Sequence, residues 1–161
     1  MLRYFSVLLI FSVECVRLSS GFPDGAPVDV CVKPKPNRPN HSGAKPQPAD
    51  TNPYTVTASD SYYRPGTQIT VTIAGREYFK GFFIQARDAR TNEWIGDWIE
   101  TPNAKRHPEC SSITHADPKL KQQATLLWQA PKNAGSGQVY FTGTVLRDYS
   151  TFWSEIVAEV A

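Results

Sequence analysis

From Tyr54 onward the chain alternates. Tyr54-Thr-Val-Thr-Ala58 puts Tyr54, Val56 and Ala58 on one side and two threonines on the other. Residues Thr67 to Ala74 send Ile69, Val71 and Ile73 one way and Gln68, Thr70 and Thr72 the other. A repeat of two marks a strand with one buried face. Between the two runs, Arg64-Pro65-Gly66 predicts a turn, since proline presets the first corner and glycine accepts positive φ at the next. Gly81 to Arg87 is apolar on both faces, which suits a central strand. Asp88 to Asn92 turns the chain into Trp94 to Ile99, and Ala124 to Gln129 is a further apolar run halted at Ala130-Pro131. After Gly135-Ser-Gly137, the stretch Gln138 to Arg147 alternates Val139, Phe141 and Val145 against Tyr140, Thr142 and Thr144. A last alternating strand is predicted from Glu155 to Val160.

About seven to nine short strands, spaced by turns, rich in Thr, Val, Ile and aromatics and lacking an amphipathic helix, predict an all-β fold: an antiparallel sandwich. Residues Pro102 to Lys121, with three prolines and Lys105, Arg106, Lys119 and Lys121, read as a long connection pinned by Cys110. Ahead of the strands, residues 22–53 hold eight of the 13 prolines. Each proline removes a backbone donor and fixes φ, so helix and central strand are both excluded there. The expectation is an extended arm over 21–53, tethered through Cys31, and a sandwich body over 54–161.

The first 20 residues follow another rule. Arg3 precedes an apolar run from Tyr4 to Val13, broken only by Ser6 and Ser12, and small polar residues Ser19, Ser20 and Gly21 follow. That is the layout of a secretory signal peptide, and the run is about half the length that crosses a bilayer. The alternative, a buried or anchoring helix, finds no polar-faced partner later in the chain. The remainder is expected outside the cell, soluble, with no membrane insertion. Net charge is +2, and without Arg3, Arg17 and Glu14 the balance is 15 basic to 14 acidic groups. So even a balance gives no broad field for nucleic acid, whose binding leans on clustered Lys and Arg.

Cysteine use fits export. Cys15 falls in the leader, which leaves Cys31 and Cys110, and an oxidising compartment predicts one intramolecular disulfide. The competing uses are a thiol nucleophile, which would leave its partner unpaired outside the cell, and metal ligation, for which the spacing matches no known pattern. Asn40-His41-Ser42 is an N-glycosylation sequon in a polar stretch, so Asn40 is a candidate acceptor.

These residues also carry a resemblance. Cys31, Pro39-Asn-His41-Ser-Gly43, Gln47, Pro53-Tyr54-Thr-Val56, Tyr63-Arg-Pro-Gly66, Ile69-Thr-Val-Thr-Ile73, Phe79-Lys-Gly-Phe82 and Gln85-Ala-Arg87 occur in order, followed by Cys110, Thr114-His115, Leu127-Trp128-Gln-Ala-Pro131 and the aromatics of Tyr149 to Trp153. The series resembles a reeler (reelin-type) domain over essentially the whole chain after the leader. With a leader and one such domain, it is most similar to the small secreted insect defence proteins of that family. The resemblance implies an immunoglobulin-like sandwich, a Cys31–Cys110 bridge, and a role in haemolymph innate immunity, antimicrobial in kind, where relatives associate with bacterial surface components such as lipopolysaccharide. Other members carry the module in matrix proteins, spondins or membrane ferric reductases. No haem-bearing membrane part occurs here, so reductase activity is not implied.

On its own residues the chain offers no enzyme signature: no G-x-S-x-G, no H-E-x-x-H, no phosphate-cradling glycine loop. No cofactor or metal is expected. His41, His107 and His115 never pair four apart, and His115 reads as a buried hydrogen-bonding residue. Two groups of residues could bind a partner. Lys33, Lys35, Arg38 and Lys45 lie on the proline-stiffened arm with no acid between Val32 and Ala49, and could meet anions of microbial surface polymers. A solvated, inert tail is the plainer reading of the same residues. The second group is aromatic, namely Tyr78, Phe79, Phe82, Phe83, Trp94, Trp98, Trp128 and Trp153, of which most should be core. Trp94 and Trp98 share a predicted strand face where one could stay exposed as a lipid or glycan contact. The expected function is non-enzymatic defence by adhesion to microbial surfaces. The alternative is an extracellular adhesion or interaction module for a host protein, haemolymph partner or haemocyte surface.

Overall fold

A computed structural model describes residues 22–32, 37–39 and 41–161. The predicted leader, Lys33, Lys35 and Asn40 lie outside the described residues. Among the described residues eleven strands form two sheets: β1 (Tyr54–Ala58), β2 (Tyr62–Tyr63), β3 (Gln68–Phe79), β4 (Gly81–Asp88), β5 (Asp97–Trp98), β6 (Ala104–His107), β7 (Ser112–His115), β8 (Lys121–Gln129), β9 (Gly137–Leu146), β10 (Phe152–Val157) and β11 (Glu159–Val160). One sheet runs β11-β1-β3-β8-β5 and the other β10-β9-β4-β7-β6, with β2 beside β9. Pairing is antiparallel throughout except at β1–β11, where Thr57 and Ala58 lie parallel to Glu159 and Val160. Among the described residues no helix is long and apolar enough to cross a membrane.

The alternating runs place their apolar members between the sheets. Ile69, Val71 and Ile73 of β3 meet Phe82, Ile84 and Ala86 of β4, with Leu126 and Trp128 of β8 and Phe141 and Val145 of β9 completing the interior. Aromatic rings meet edge to face: Phe141 stands 5.5 Å from Trp98 and 5.7 Å from Trp128, and Tyr63 lies 5.6 Å from Trp128. Indole N–H groups in this layer still find acceptors, Trp98 on the Ser111 carbonyl at 2.9 Å and Trp128 on the Ile95 carbonyl at 3.0 Å. A buried donor left unmet would cost roughly 1–3 kcal/mol, so each bond is a condition of burying the ring. Gly96, at φ +69°, passes directly over the Trp128 indole, where a Cβ would collide.

Three expectations change. Residues 102–121 are not a plain connection, because they contain β6 and β7 as two strands of the second sheet. β7 reads Ser-Ile-Thr-His yet is buried along its length, because its hydroxyls and imidazole are hydrogen bonded and polarity does not force them outward. The run from Glu155 is not one strand: β10 starts at Phe152, bulges where Glu155 takes φ +63°, and hands over to β11 on the other sheet. The proline-rich segment, as far as it is described, is no free arm. Short 3₁₀ turns at Val28–Cys31 and Ala49–Thr51 fold it back, Val30 and Cys31 are buried, and the Gln47 N–H donates to the Phe152 carbonyl at 2.8 Å.

Candidate functional site

β4 is the strand that needs covering. Its inner residues Phe82, Ile84 and Ala86 face the core, so Phe83 and Gln85 must point outward, yet both are buried. The cover is the proline-rich segment. Val30, Cys31, Cys110 and Phe83 form a second apolar cluster on the outer face of the second sheet, with Ala26 packed against it. Cys31 and Cys110 are joined as a disulfide, with Cα atoms 6.2 Å apart across 79 positions of sequence.

Three residues of β6 and β7 pin the incoming chain. His107 Nε2 donates to the Ala26 carbonyl at 2.8 Å. Thr114 Oγ1 donates to the Phe82 carbonyl at 2.8 Å and accepts from the Ala26 N–H at 3.1 Å. His115 is 8% exposed; its Nδ1 accepts from the Phe82 N–H at 3.3 Å, and Nε2 reaches the Phe22 carbonyl at 3.2 Å. Burial holds the His115 pKa below the ordinary imidazole value, Lys121 pushes the same way, and the carbonyl oxygens of Phe82 and Phe22 together with the Asp117 carboxylate oppose it. The neutral ring thus acts as a two-ended spacer between strand and segment. Gly81 permits this packing, since a Cβ there would stand 2.8 Å from the imidazole Cε1.

Between segment and sheet a space remains. It is a partly open cavity of about 640 Å³. Gly81, Phe83, Thr144 and Leu146 of the sheet form its floor, Phe22, Pro23, Ala26, Pro27 and Val30 cover it, and Asn37, Pro39, His41, Lys80, Pro118 and Tyr149 complete its flanks. The flanks are braced. His41 stacks on Tyr149 with ring centroids 4.0 Å apart, and its Nδ1 donates to the Tyr149 carbonyl. The Asp148 carboxylate accepts the N–H groups of Ser150 and Thr151, which fixes the turn carrying Tyr149. Lys121 Nζ donates to Asp117 Oδ1 at 2.9 Å and to the carbonyls of Lys119, Asp117 and Lys80, so the loop bearing Pro118 is tied to the start of β4. That ammonium holds the Asp117 carboxyl below the ordinary carboxylate range. Two buried side-chain atoms among the described residues have no hydrogen-bond partner, Asn37 Oδ1 and Gln85 Nε2, and Asn37 is the one that lines the cavity.

The residues singled out from sequence are dispersed by the fold. Trp98 is 1% exposed and belongs to the core, because β5 turns its indole inward onto Ser111; as a surface contact it is corrected. Trp94 is 40% exposed, with the Arg87 guanidinium 5.7 Å above its ring. Tyr78 is exposed, while Phe79, Phe82, Phe83, Trp128 and Trp153 are buried. Arg38 is ion-paired to Glu155 at 2.7 Å, and Lys45 is exposed. Among the described residues no three His, Cys, Asp or Glu side chains gather as a metal site. Asn37, Lys80, Leu146 and Pro118 escaped the sequence reading. The signal that reaches them is the outward Phe83: a strand apolar on both faces within a two-layered fold needs a third layer.

Comparison with known proteins agrees with this architecture. The crystal structure of the human F-spondin reeler domain aligns with a TM-score of 0.53 at 19% identity, covering 74% of this chain and 88% of that one. "Putative defense protein 3" of Antheraea mylitta is 32% identical over 155 residues, 92% of this chain and 90% of the relative. "Ferric-chelate reductase 1" of Bos taurus is 30% identical over 115 residues; the match takes in 66% of this chain but 19% of that protein. The family model described as Reeler domain matches residues 30–160. That span takes in both sheets and both ends of the Cys31–Cys110 bridge, and the chain belongs to the Reeler domain family.

Proposed function

We propose that this protein is a secreted, non-enzymatic defence factor that recognises anionic amphiphiles of microbial envelopes, lipopolysaccharide being the representative. The carrying observation is the apolar cavity, flanked by the stretch Asn37, Pro39 and His41 of the same segment that bears Lys33, Lys35, Arg38 and Lys45. Its volume lies within the ~300–1,000 Å³ of small-molecule sites, and apolar walls with Lys80 among the lining residues suit a ligand with a hydrocarbon part and a negative head. The similarity to proteins named for defence supports the biological setting. The secretory leader read in the sequence and the disulfide support an extracellular location.

The test is binding of the oxidised protein to lipopolysaccharide at low and high ionic strength, with Lys33, Lys35, Arg38 and Lys45 neutralised together in a parallel variant. Binding that weakens with salt and with neutralisation is expected. Undiminished binding by the neutralised protein would remove the basic segment from the account, and no binding by the native protein would end the proposal. A second reading is a module for host partners, favoured by the exposed Trp94 beneath Arg87. A pull-down that returns a defined host protein, lost on Trp94→Ala, with no microbial binding, would select it.

A further inference from the structure

We propose that the end of the sandwich where the cavity opens is a docking surface for an anionic lipid layer, from which an acyl chain passes into the cavity without crossing water. The inference rests on the reading of the cavity as the binding site and adds the surface from which that site is loaded. Burial locates the opening. Of the residues that line the cavity, the exposed ones are Phe22, Pro23, Lys80 and Pro118, and the others are buried or half-buried. These four belong to one end of the molecule. Lys80 is the turn from β3 to β4 and Pro118 lies in the loop from β7 to β8, and the Lys121 ammonium ties turn to loop by donating to the carbonyls of Lys80 and Lys119 at 3.1 and 2.8 Å. The Phe22 carbonyl meets His115 at the end of β7, whose imidazole packs over Gly81 at the start of β4.

The rim of the opening has the chemistry of a lipid contact. Phe22 is 43% exposed, and Leu120, two positions after Pro118, is 62% exposed. An exposed leucine by itself is ordinary, but beside an apolar opening it enlarges one continuous apolar region. The charges around it are matched unevenly. Asp117 is paired with Lys121, Glu77 and Asp148 with Arg147, and Asp24 with Lys105. Lys80 and Lys119 are exposed and form no ion pair among the described residues. The rim thus offers two uncompensated ammonium groups next to carbon, and phosphate-bearing headgroups above an acyl layer are the complement of that pattern. A sugar polymer fits it less well. The acids that would hold hydroxyls are spent on their own turns, Asp117 accepting the Lys119 N–H and Asp148 those of Ser150 and Thr151.

The experiment is co-sedimentation of the oxidised protein with vesicles of phosphatidylglycerol and phosphatidylcholine in equal parts, and with vesicles of phosphatidylcholine alone, beside calorimetric titration with dodecanoate below its micelle concentration. Binding to the mixed vesicles that weakens with salt, and none to phosphatidylcholine alone, is expected. The double variant Lys119→Gln, Leu120→Ser changes two rim residues that do not line the cavity. Its affinity for the mixed vesicles should fall by about tenfold or more, from the loss of one ammonium and one apolar anchor, while its dodecanoate binding stays native. Undiminished vesicle binding by that variant overturns the proposal, and its loss on neutralising Lys33, Lys35, Arg38 and Lys45 instead would assign docking to the basic segment. The proposal also falls if native protein ignores the mixed vesicles, or if sedimentation equilibrium finds a dimer that Leu120→Ser dissociates, which gives the rim to a second copy. Leu146→Trp, which fills the floor, separates the two readings. Dodecanoate binding that survives it ends the cavity reading and the passage into the cavity, whereas the docking surface is upheld or overturned by the vesicle result alone.

Discussion

The two faces of the second sheet are both apolar and are closed by different means. On the inner face, side chains from two sheets interlock, and Trp98 and Trp128 both pack edge to face on Phe141. On the outer face a single irregular segment lies over Phe83, Thr144 and Leu146, held by one disulfide and the bonds from His107, Thr114 and His115, and a cavity of about 640 Å³ remains beneath it. The first face is held by area and is therefore sealed. The second is held by a few points, and a sheet covered at points can keep room for a ligand.

The largest effect should follow from damage to the sealed face. Trp128→Ala removes a fully buried indole that touches Tyr63, Phe141 and the Gly96 backbone, and the expected loss is about 3–5 kcal/mol in urea unfolding. Removing the bridge with Cys31→Ala and Cys110→Ala should cost about 2–4 kcal/mol, since the link closes 79 positions of chain. The two losses should differ in kind. Without Trp128 the near-ultraviolet signature of the interior collapses along with stability. Without the bridge that signature should persist, while hydrogen exchange rises at the amides of Ala26 and Val30. An unbridged protein that loses both together would mean that the outer layer is as much a part of the core as the sheets.

This contrast also explains what could be read from sequence. A repeat of two is local, and Val56, Ile69 to Ile73, and Val139 to Val145 announce the inner face because each strand alone must segregate its side chains. β7 hid itself, since Ser112 and Thr114 are buried through bonds to Cys110 and Phe82 that no local pattern reveals. The leaning of the proline-rich segment onto Phe83 was hidden too: prolines exclude helix and central strand but do not say what surface an irregular chain covers. Asn37 and Lys80 enter the site from segments joined through such non-local bonds, so the cavity is a product of the third layer. Of the two tryptophans chosen for exposure, Trp98 is buried in β5, and Trp94, which lies ahead of that strand and bridges to Arg87, is exposed.

A smaller effect is expected from acid. The folded-state pKa of His115 lies below the ordinary imidazole value of 6.5 because the ring is buried as a neutral spacer. A depressed folded pKa means that the unfolded chain binds the proton first. The contribution is complete above about pH 6.5 and is lost as pH falls from there through the folded value. Acid unfolding of the native protein should therefore begin with release of the outer layer, seen as faster exchange at Ala26 before any change at Trp128. In His115→Gln the slope of stability against pH should flatten over that window. A variant with the native slope would assign the acid limb to other groups and leave His115 as a pH-insensitive prop.

The smallest effect belongs to Arg38. Its guanidinium meets Glu155 at 2.7 Å, linking the cavity flank to the bulge in β10, but the side chains are 27% and 75% exposed, and an ion pair so open to water contributes at most about 1 kcal/mol. Arg38→Ala should leave the unfolding midpoint nearly unchanged at physiological salt and should still lower the affinity for lipopolysaccharide, because the charge is then more useful to a ligand than to the fold. The reverse outcome would be decisive. If Arg38→Ala and Glu155→Ala each cost more than about 2 kcal/mol without being additive, the pair closes the outer layer as firmly as the disulfide does. The difference between a sealed face and a pinned one would then disappear along this edge of the sheet.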